Sequence, residues 1–339
     1  MTKVKKVVKI AFMMQKTICP FFGRCGGCLY QDLPEDAYLN KKISFIQRSF
    51  ADYGLDVHPE SVRGVPLGSR RRVSFSFARG KVGYNAHKSH EIIEITECRL
   101  LRPEIVSFLP ELKKWVQKLG GSGDIFILLT DWGLDILIKT PSQKLGLDQL
   151  ELLAGFGGDS RVARLIYNDE PIVEKVKLPL KPNDFLQPSK EGEEILKNLL
   201  VSEVQTAHKA VDLFCGAGTF TKPLADLGVM VKGYDCSESV HLLGDKGFMR
   251  DLFRNPLLPE EMEGLDLIVL DPPRAGARAQ VEQIAQTKVP KIVMVSCSPQ
   301  TAARDSRILT DAGWRMTKLT PVDQFTWSNH IELVIVFEK

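Results

Sequence analysis

No stretch of the 339-residue chain reaches the roughly 18 uncharged apolar residues of a helical membrane span. An export signal is also missing. Lys3, Lys5 and Lys6 precede an apolar stretch from Val7 to Met14, but Lys9 interrupts it and no small-residue cleavage site follows. A cytoplasmic protein with no membrane partner is therefore expected. Cysteine is sparse and odd in number, at seven, which argues against a disulfide framework and turns attention to metal ligation or catalysis. Internal repeats and low-complexity tracts are absent, and neither charge dominates, since 45 Lys and Arg face 42 Asp and Glu for a net +3. With 44% apolar and 26% charged residues, the composition is that of a soluble globular protein, which excludes a disordered, collagen-like or coiled-coil chain. At about 150 residues per domain, the length suggests two domains.

The charge that is present is unevenly spread. Residues 1–110 carry 18 Lys and Arg against 10 Asp and Glu, an excess of 8 positive charges, which leaves residues 111–339 with a net −5. Such a basic first third suits a polyanion partner, although an ordinary solvated basic face would look the same. From about 62 to 180 the pattern is β-rich. Val73–Phe77 alternates, as do parts of 124–130 and 134–139, with Gly80 and Asp-Trp-Gly acting as turn signals. From about 190 the rhythm changes. Glu193–Val201 has helical spacing, and the short apolar runs Ala210–Phe214, Val229–Tyr234, Leu265–Leu270 and Lys291–Val295 read as buried parallel strands. The expected fold class is α/β. A doubly wound, Rossmann-like domain over 181–339 follows a β-rich α+β domain over 62–180 and an N-terminal segment, 1–61, that holds a cysteine motif. Lys181-Pro182-Asn183 marks the boundary.

The segment Val211–Phe220 (VDLFCGAGTF) runs from a strand through a glycine turn into a helix. Gly216 and Gly218 allow close backbone approach, but Thr221 stands where a dinucleotide fingerprint would have its third glycine. Asp235 ends the next strand, placed to accept hydrogen bonds from ribose hydroxyls. The combination points to S-adenosylmethionine rather than a nicotinamide, with an ordinary glycine turn as the plain alternative.

Asp271-Pro272-Pro273-Arg274 follows one apolar strand and Ser296-Cys297-Ser298-Pro299 the next, so Cys297 is expected on the ligand edge of the sheet. A thiolate there can attack an electrophilic carbon. Uracil needs such help, because C5 is too weak a nucleophile to take a methyl group until a thiolate has added at C6. A base must then remove the C5 proton. The tail from Asp323 to Glu332 offers Glu332, with His330 as the rival.

These residues resemble a known family, the RNA 5-methyluridine methyltransferases of the RlmD, RlmC and TrmA type. The resemblance spans roughly 19–339. It rests on five ordered motifs: Cys-x5-Cys-Gly-Gly-Cys with a distant fourth cysteine, Asp-Leu-Phe-Cys-Gly-x-Gly-x-Phe, Asp-Pro-Pro-Arg-x-Gly, Ser-Cys-x-Pro-x-Thr-x-Ala-Arg-Asp, and Asp-x-Phe-x-x-Ser/Thr-x-His-Ile/Val-Glu. It implies Cys297 as nucleophile and Glu332 as base. It also implies S-adenosylmethionine contacts at Gln187, Phe214, Gly216, Gly218, Thr219, Asp235 and Asp271, and a [4Fe–4S] cluster on Cys19, Cys25, Cys28 and Cys98. Spacing alone does not separate that cluster from a zinc site of four cysteines. The implied substrate is RNA, with ribosomal RNA favoured over tRNA because the cysteine motif is typical of the bacterial rRNA branch. The protein is expected to act as a monomer.

Ser189, Thr219, Asp235 and Ser298 replace the family's usual Asn, Asn, Glu and Asn. A short interval separates Asp235 from Asp251, which puts Asp251 in doubt as an adenine contact. The 18 residues before Cys19 are too few for the family's RNA-binding TRAM domain. RNA capture is instead expected at Arg70, Arg71 and Arg72, beside the Val73/Phe75/Phe77 strand, because arginine pairs with phosphate and aromatic rings stack on unpaired bases. In the alternative, those rings fill the core.

Overall fold

The computed structural model describes residues 18–141, 145–182, 184–204 and 206–339. The lysine-rich start and Asn183 of the expected boundary lie outside them. In chain order the elements are α1 (Glu35–Ala51), β1 (Arg63–Gly64), β2 (Arg72–Ala78), β3 (Lys81–Asn85), β4 (Ile92–Ile93), α2 (Pro103–Leu119), β5 (Ser122–Thr130) and β6 (Gly133–Lys139). There follow α3 (Leu147–Gly157), β7 (Val162–Tyr167), β8 (Glu170–Glu174), α4 (Lys190–Glu203), β9 (Lys209–Leu213), α5 (Thr221–Asp226), β10 (Met230–Asp235) and β11 (Gly247–Met249). The chain closes with β12 (Leu267–Leu270), α6 (Arg278–Ile284), β13 (Lys291–Ser296), α7 (Pro299–Asp311), β14 (Arg315–Asp323) and β15 (Glu332–Glu338).

The first sheet has the order β4-β3-β2-β5-β6-β7-β8 and is mostly antiparallel. Strand β2 alternates because it covers a core on one face only. Val73, Phe75 and Phe77 point inward and are buried, so the rings fill the core rather than offering stacking surfaces. Helix α2 meets that face with Ile105, Phe108, Leu112, Trp115 and Val116 at helical spacing. Trp115 stacks on Phe156 at 4.5 Å and meets the edge of Phe108 at 4.9 Å. Each such side chain contributes roughly 1.5–3 kcal/mol on burial.

The second sheet has the order β1-β14-β15-β13-β12-β9-β10-β11 and is parallel except for β15, which runs antiparallel to both of its neighbours. Strands β12 and β13 are apolar throughout their middles, and β9 is apolar there but for the buried Asp212, because helices cover both faces. The β-rich domain followed by a doubly wound sheet is the architecture expected from the sequence. The N-terminal segment adds to the second sheet, which the sequence did not suggest. Strand β1 pairs with β14, and Ile46 and Phe50 of α1 enter the same core as Leu309 of α7.

Polar contacts tie that segment to the chain's last turns. Lys42 Nζ donates to Asp323 at 2.6 Å and to the His330 carbonyl at 2.6 Å, and the Tyr38 hydroxyl donates to Asp323. The N–H groups of Leu29 and Tyr30 donate to the Trp327 carbonyl at 2.7 and 3.1 Å.

Candidate active site

Strand order reverses between β9 and β12, and ligands of doubly wound sheets bind in the crevice that opens at such a point. Phe214, directly after β9, adopts φ 63°, which is unusual for a residue with a side chain. Gly216 (φ 53°) has open space where a Cβ would project, whereas a Cβ on Gly218 would come within 2.3 Å of Leu243. The first glycine serves the backbone turn and the second serves close packing. Asp235 accepts from the Gly216 N–H at 2.9 Å and the Ser237 N–H at 2.6 Å, so the acid ending β10 is anchored beneath the turn, with Thr219 half-buried on the same loop.

Phe253, which no sequence motif singled out, meets the Phe214 ring at 5.3 Å. Asp251 is occupied by its own turn, accepting from Phe253 and Arg254 N–H groups at 3.0 and 3.3 Å. A short 3-10 segment, Glu238–Lys246, and β11 fill the interval before it.

Cys297 immediately follows β13, half-buried at the carboxyl end of the strand. Ser298 caps α7 by accepting from the Thr301 N–H at 3.4 Å, a task that Asn performs equally well. Ser189 does the same for α4, accepting from Gly192 at 2.9 Å. Burial, then the negative charges of Glu332 and Asp271, push the Cys297 thiol up to about 11, while Arg274 pulls it down. Glu332 opens β15 and is 3% exposed. Burial pushes its carboxyl up to about 7, against a hydrogen bond from Gln324 and the charge of Arg274. Asp271, at the end of β12, is held well above the carboxylate range by burial and by Glu332. One rim thus gathers a thiol and two carboxyls with raised proton affinity, a combination that occurs more often at functional sites than elsewhere.

His330 is placed differently. Arg274 Nη2 lies 2.8 Å from its Nδ1 and 3.1 Å from its Nε2. Burial and the cations Arg274, Lys42 and Arg70 push the ring down to about 4, so it stays neutral and weakly basic. Gln187 is buried behind the rim, and its side-chain oxygen accepts from Gln324 at 2.8 Å. Gln324, which also donates to Glu332 at 3.2 Å, lies between motif residues and carries no spacing signal of its own.

The triple arginine needs correction at its centre. Arg71 is 7% exposed and is not available to a phosphate. Its guanidinium donates to the Gln187 carbonyl at 3.0 Å and pairs with Glu193 at 2.5 Å, so it braces the Gln187 segment. Arg70 and Arg72, of opposite parity on the strand, lie over the rings of Phe325 and Phe185 at 5.8 and 5.5 Å. These four residues line a groove of about 320 Å³ with Tyr84 and Phe126. A neighbouring groove of about 450 Å³ shares Ser74, Tyr84 and Phe126 and reaches Gly26 and Lys88.

Cys25 and Cys28 lie on a loop laid against β3. The Gly26 N–H donates to the Asn85 carbonyl at 3.0 Å, and a Cβ on Gly26 would come within 2.8 Å of that same oxygen. The Gly27 N–H donates to Cys25 Sγ at 3.4 Å, and Cys98 receives the N–H groups of Leu100 and Leu101. Burial raises the Cys25, Cys28 and Cys98 thiols, Cys28 to about 12, and the neighbouring sulfurs, Cys19 among them, raise them further. The four sulfurs are therefore within electrostatic reach of one another. Among the described residues, no three His, Cys, Asp or Glu side chains converge on a single metal ion.

Known proteins share both sequence and architecture with this chain. The family model described as tRNA (Uracil-5-)-methyltransferase matches residues 260–339. An uncharacterized RNA methyltransferase of Brucella suis biovar 1 is 35% identical over 353 residues, covering 96% of this chain and 85% of the relative. The 23S rRNA (uracil(1939)-C(5))-methyltransferase RlmD of Vibrio parahaemolyticus is 29% identical, covering 99% of this chain and 85% of its own length. Among solved structures, the Pyrococcus abyssi tRNA (uracil-54, C5)-methyltransferase in complex with S-adenosyl-L-homocysteine superposes with TM-score 0.72 at 22% identity, covering 94% of this chain and 86% of that one. At that identity the likeness is one of fold. Among the described residues, no helix is long and apolar enough to cross a membrane.

Proposed function

Because the chain belongs to the RNA 5-methyluridine methyltransferase family, an S-adenosylmethionine-dependent group of RNA-modifying enzymes, we propose that it methylates C5 of a uracil in RNA through a covalent bond from Cys297 to C6. The observation that carries this reading is the meeting of Cys297 and Glu332 at one rim, where burial raises the proton affinity of both and the Glu332 charge raises that of the thiol further.

S-adenosylmethionine, when bound, supplies an electrophilic methyl group. Gly216 and Gly218 leave room for it against the backbone, Asp235 suits its ribose, and Phe214 and Thr219 flank the same turn. Gln187 and Asp271 would complete the site, Asp271 from the end of the neighbouring strand β12. Cys297, as thiolate, adds to uracil C6 and makes C5 nucleophilic, and C5 takes the methyl group as the S–CH3 bond breaks and S-adenosylhomocysteine leaves as the neutral thioether. Glu332, ionised, then removes the C5 proton. The C6–S bond breaks as the C5–C6 double bond re-forms, and the Cys297 thiolate is released. Neutral His330, held by Arg274, orients the rim and leaves the proton to Glu332.

The target base must leave its stack to reach Cys297. The groove holding Arg70, Arg72, Phe185 and Phe325 supports single-stranded RNA on either side of that base, where guanidinium groups meet phosphate and rings meet bases. Cys19, Cys25, Cys28 and Cys98 would hold a [4Fe–4S] cluster, which supplies a rigid, charge-neutralising cross-link there. The donor set is all thiol, and backbone N–H groups are aimed at two of the sulfurs, as cluster ligands require. A single zinc ion would instead draw its sulfurs into a shell of about 2.3 Å Zn–S bonds.

Ribosomal RNA is the favoured substrate, in line with the activity for which the Vibrio relative is named. A tRNA substrate is the second reading, favoured by the name of the matching family model. Mapping 5-methyluridine by mass spectrometry in 23S rRNA and tRNA from cells lacking the gene tests both. Loss from 23S rRNA alone supports the first, loss from tRNA alone the second, and unchanged 5-methyluridine in both overturns the activity.

A further inference from the structure

Gln324 occupies a buried position between two acceptors. It is 3% exposed, between Gln187 at 2% and Glu332 at 3%. Its Nε2 lies 2.8 Å from Gln187 Oε1 and 3.2 Å from Glu332 Oε2. An ionised carboxylate can only accept, so the amide nitrogen of Gln324 must turn toward Glu332. The second hydrogen of that same nitrogen then goes to Gln187, and Gln187 is obliged to present its oxygen inward. The Nε2 of Gln187 becomes the end that faces the crevice.

The remaining Gln324 oxygen is buried and without a partner among the described residues. It lies against Gly192 in the first turn of α4, where a Cβ would come within 2.5 Å of it. Accepting a buried, unpartnered carbonyl is costly. The arrangement persists because turning the amide over would set that oxygen against the Glu332 carboxylate.

We infer that Gln324 is a positioning residue whose one amide nitrogen sets both the ionisation of Glu332 and the orientation of the Gln187 amide. This rests on the uracil-C5 reading above. The hydrogen bond favours the carboxylate form of Glu332, so it keeps the base ready at neutral pH although the site is dry. Gln187, turned by the same nitrogen, offers a donor to a carbonyl or carboxylate oxygen in the crevice. The two settings are linked, because both hydrogens leave one atom.

The test is the pH dependence of methyl transfer to RNA from cells lacking the gene, measured for wild type, Gln324→Met and Gln324→Glu. Met keeps the volume and removes both donors. Its acid limb should move up by about one pH unit, as expected for a lost hydrogen bond to a charged group. KM for S-adenosylmethionine should rise as well, because Gln187 is free to turn. Gln324→Glu can donate only while protonated, and then to one partner. Its activity should fall as pH rises, the opposite trend to wild type. This second variant decides the matter if the first does not fold. Combining Gln324→Met with Glu332→Gln should leave no further shift, since the group being tuned is gone. A wild-type pH profile in both single variants, with Glu332→Gln still trapping RNA covalently, would overturn the inference and leave the uracil-C5 reading standing. Failure of Glu332→Gln to trap RNA would remove that reading and this inference with it.

Discussion

Cys297 and the cysteine loop both hold thiols whose protons are bound more tightly than in water, but their surroundings differ. Near Cys25, Cys28 and Cys98 the opposing charges are other sulfurs, with Arg70 the cation in reach of the last two. Near Cys297 they are the carboxyls of Glu332 and Asp271, with Arg274 the cation. Sulfurs crowded together can all shed their protons only when a multivalent cation joins them. A single sulfur among carboxyls can ionise for a moment, when a neighbour takes a proton or a positive ligand arrives. On the proposed reading, one region suits a permanent thiolate set and the other a transient thiolate.

The strongest way to break this comparison is Cys297→Ala. Methyl incorporation into RNA should fall on the order of 10⁴-fold, while iron content and melting temperature stay at wild-type values. Retained activity would make Cys297 an ordinary rim residue. Glu332→Gln should lower turnover roughly 10² to 10⁴-fold and leave protein and RNA joined on a denaturing gel, because the thiolate still adds but cannot be expelled.

The third prediction concerns pH. Burial holds Glu332 near 7, above its ordinary range, so the base is ionised only as pH rises through that value, and activity should rise with it, up to about tenfold per unit below the midpoint. Stability of the free protein should move the other way. A buried carboxyl with a raised folded-state pKa favours the fold most at low pH, and that contribution is lost as pH rises from the ordinary carboxylate range through about 7. Glu332→Gln should flatten this part of the stability curve in thermal scans.

Cys98→Ser should abolish visible absorbance near the blue end in an anaerobic preparation and lower the melting temperature by at least about 5 °C. A colourless, zinc-loaded wild type would remove the iron–sulfur assignment. Cys236, exposed beside Asp235, belongs to neither set, and Cys236→Ser should leave both absorbance and methylation unchanged.

Much of the second sheet was legible because β9, β12 and β13 are buried on both faces and read as short apolar runs, broken in β9 only by Asp212. Helix α1 and strand β1 were not, since their attachment to α7 and β14 depends on pairing across most of the chain, for which local sequence carries no marker. Arg71 was readable in principle. It shares strand parity with Val73, Phe75 and Phe77, all of which are buried, so alternation alone assigns it inward while Arg70 and Arg72 face the groove. Gln324 was not readable in this way. Its role comes from two acceptors that converge on it from β15 and from the segment before α4, a meeting that exists only in the folded molecule.

The hydrogen bonds from Leu29 and Tyr30 to the Trp327 carbonyl have a consequence for biosynthesis. Lys42 and Tyr38 likewise wait for Asp323, 281 and 285 residues downstream. A chain emerging from the ribosome can complete its first sheet early, but the loop bearing Phe325 and His330 finds its anchors on α1 only after some 280 further residues have been made. Closure of the reaction centre is therefore a late event, governed by contacts of long sequence separation rather than by local nucleation. A nascent chain stopped short of Phe325 would lack both the ring under Arg70 and the reaction centre beside it.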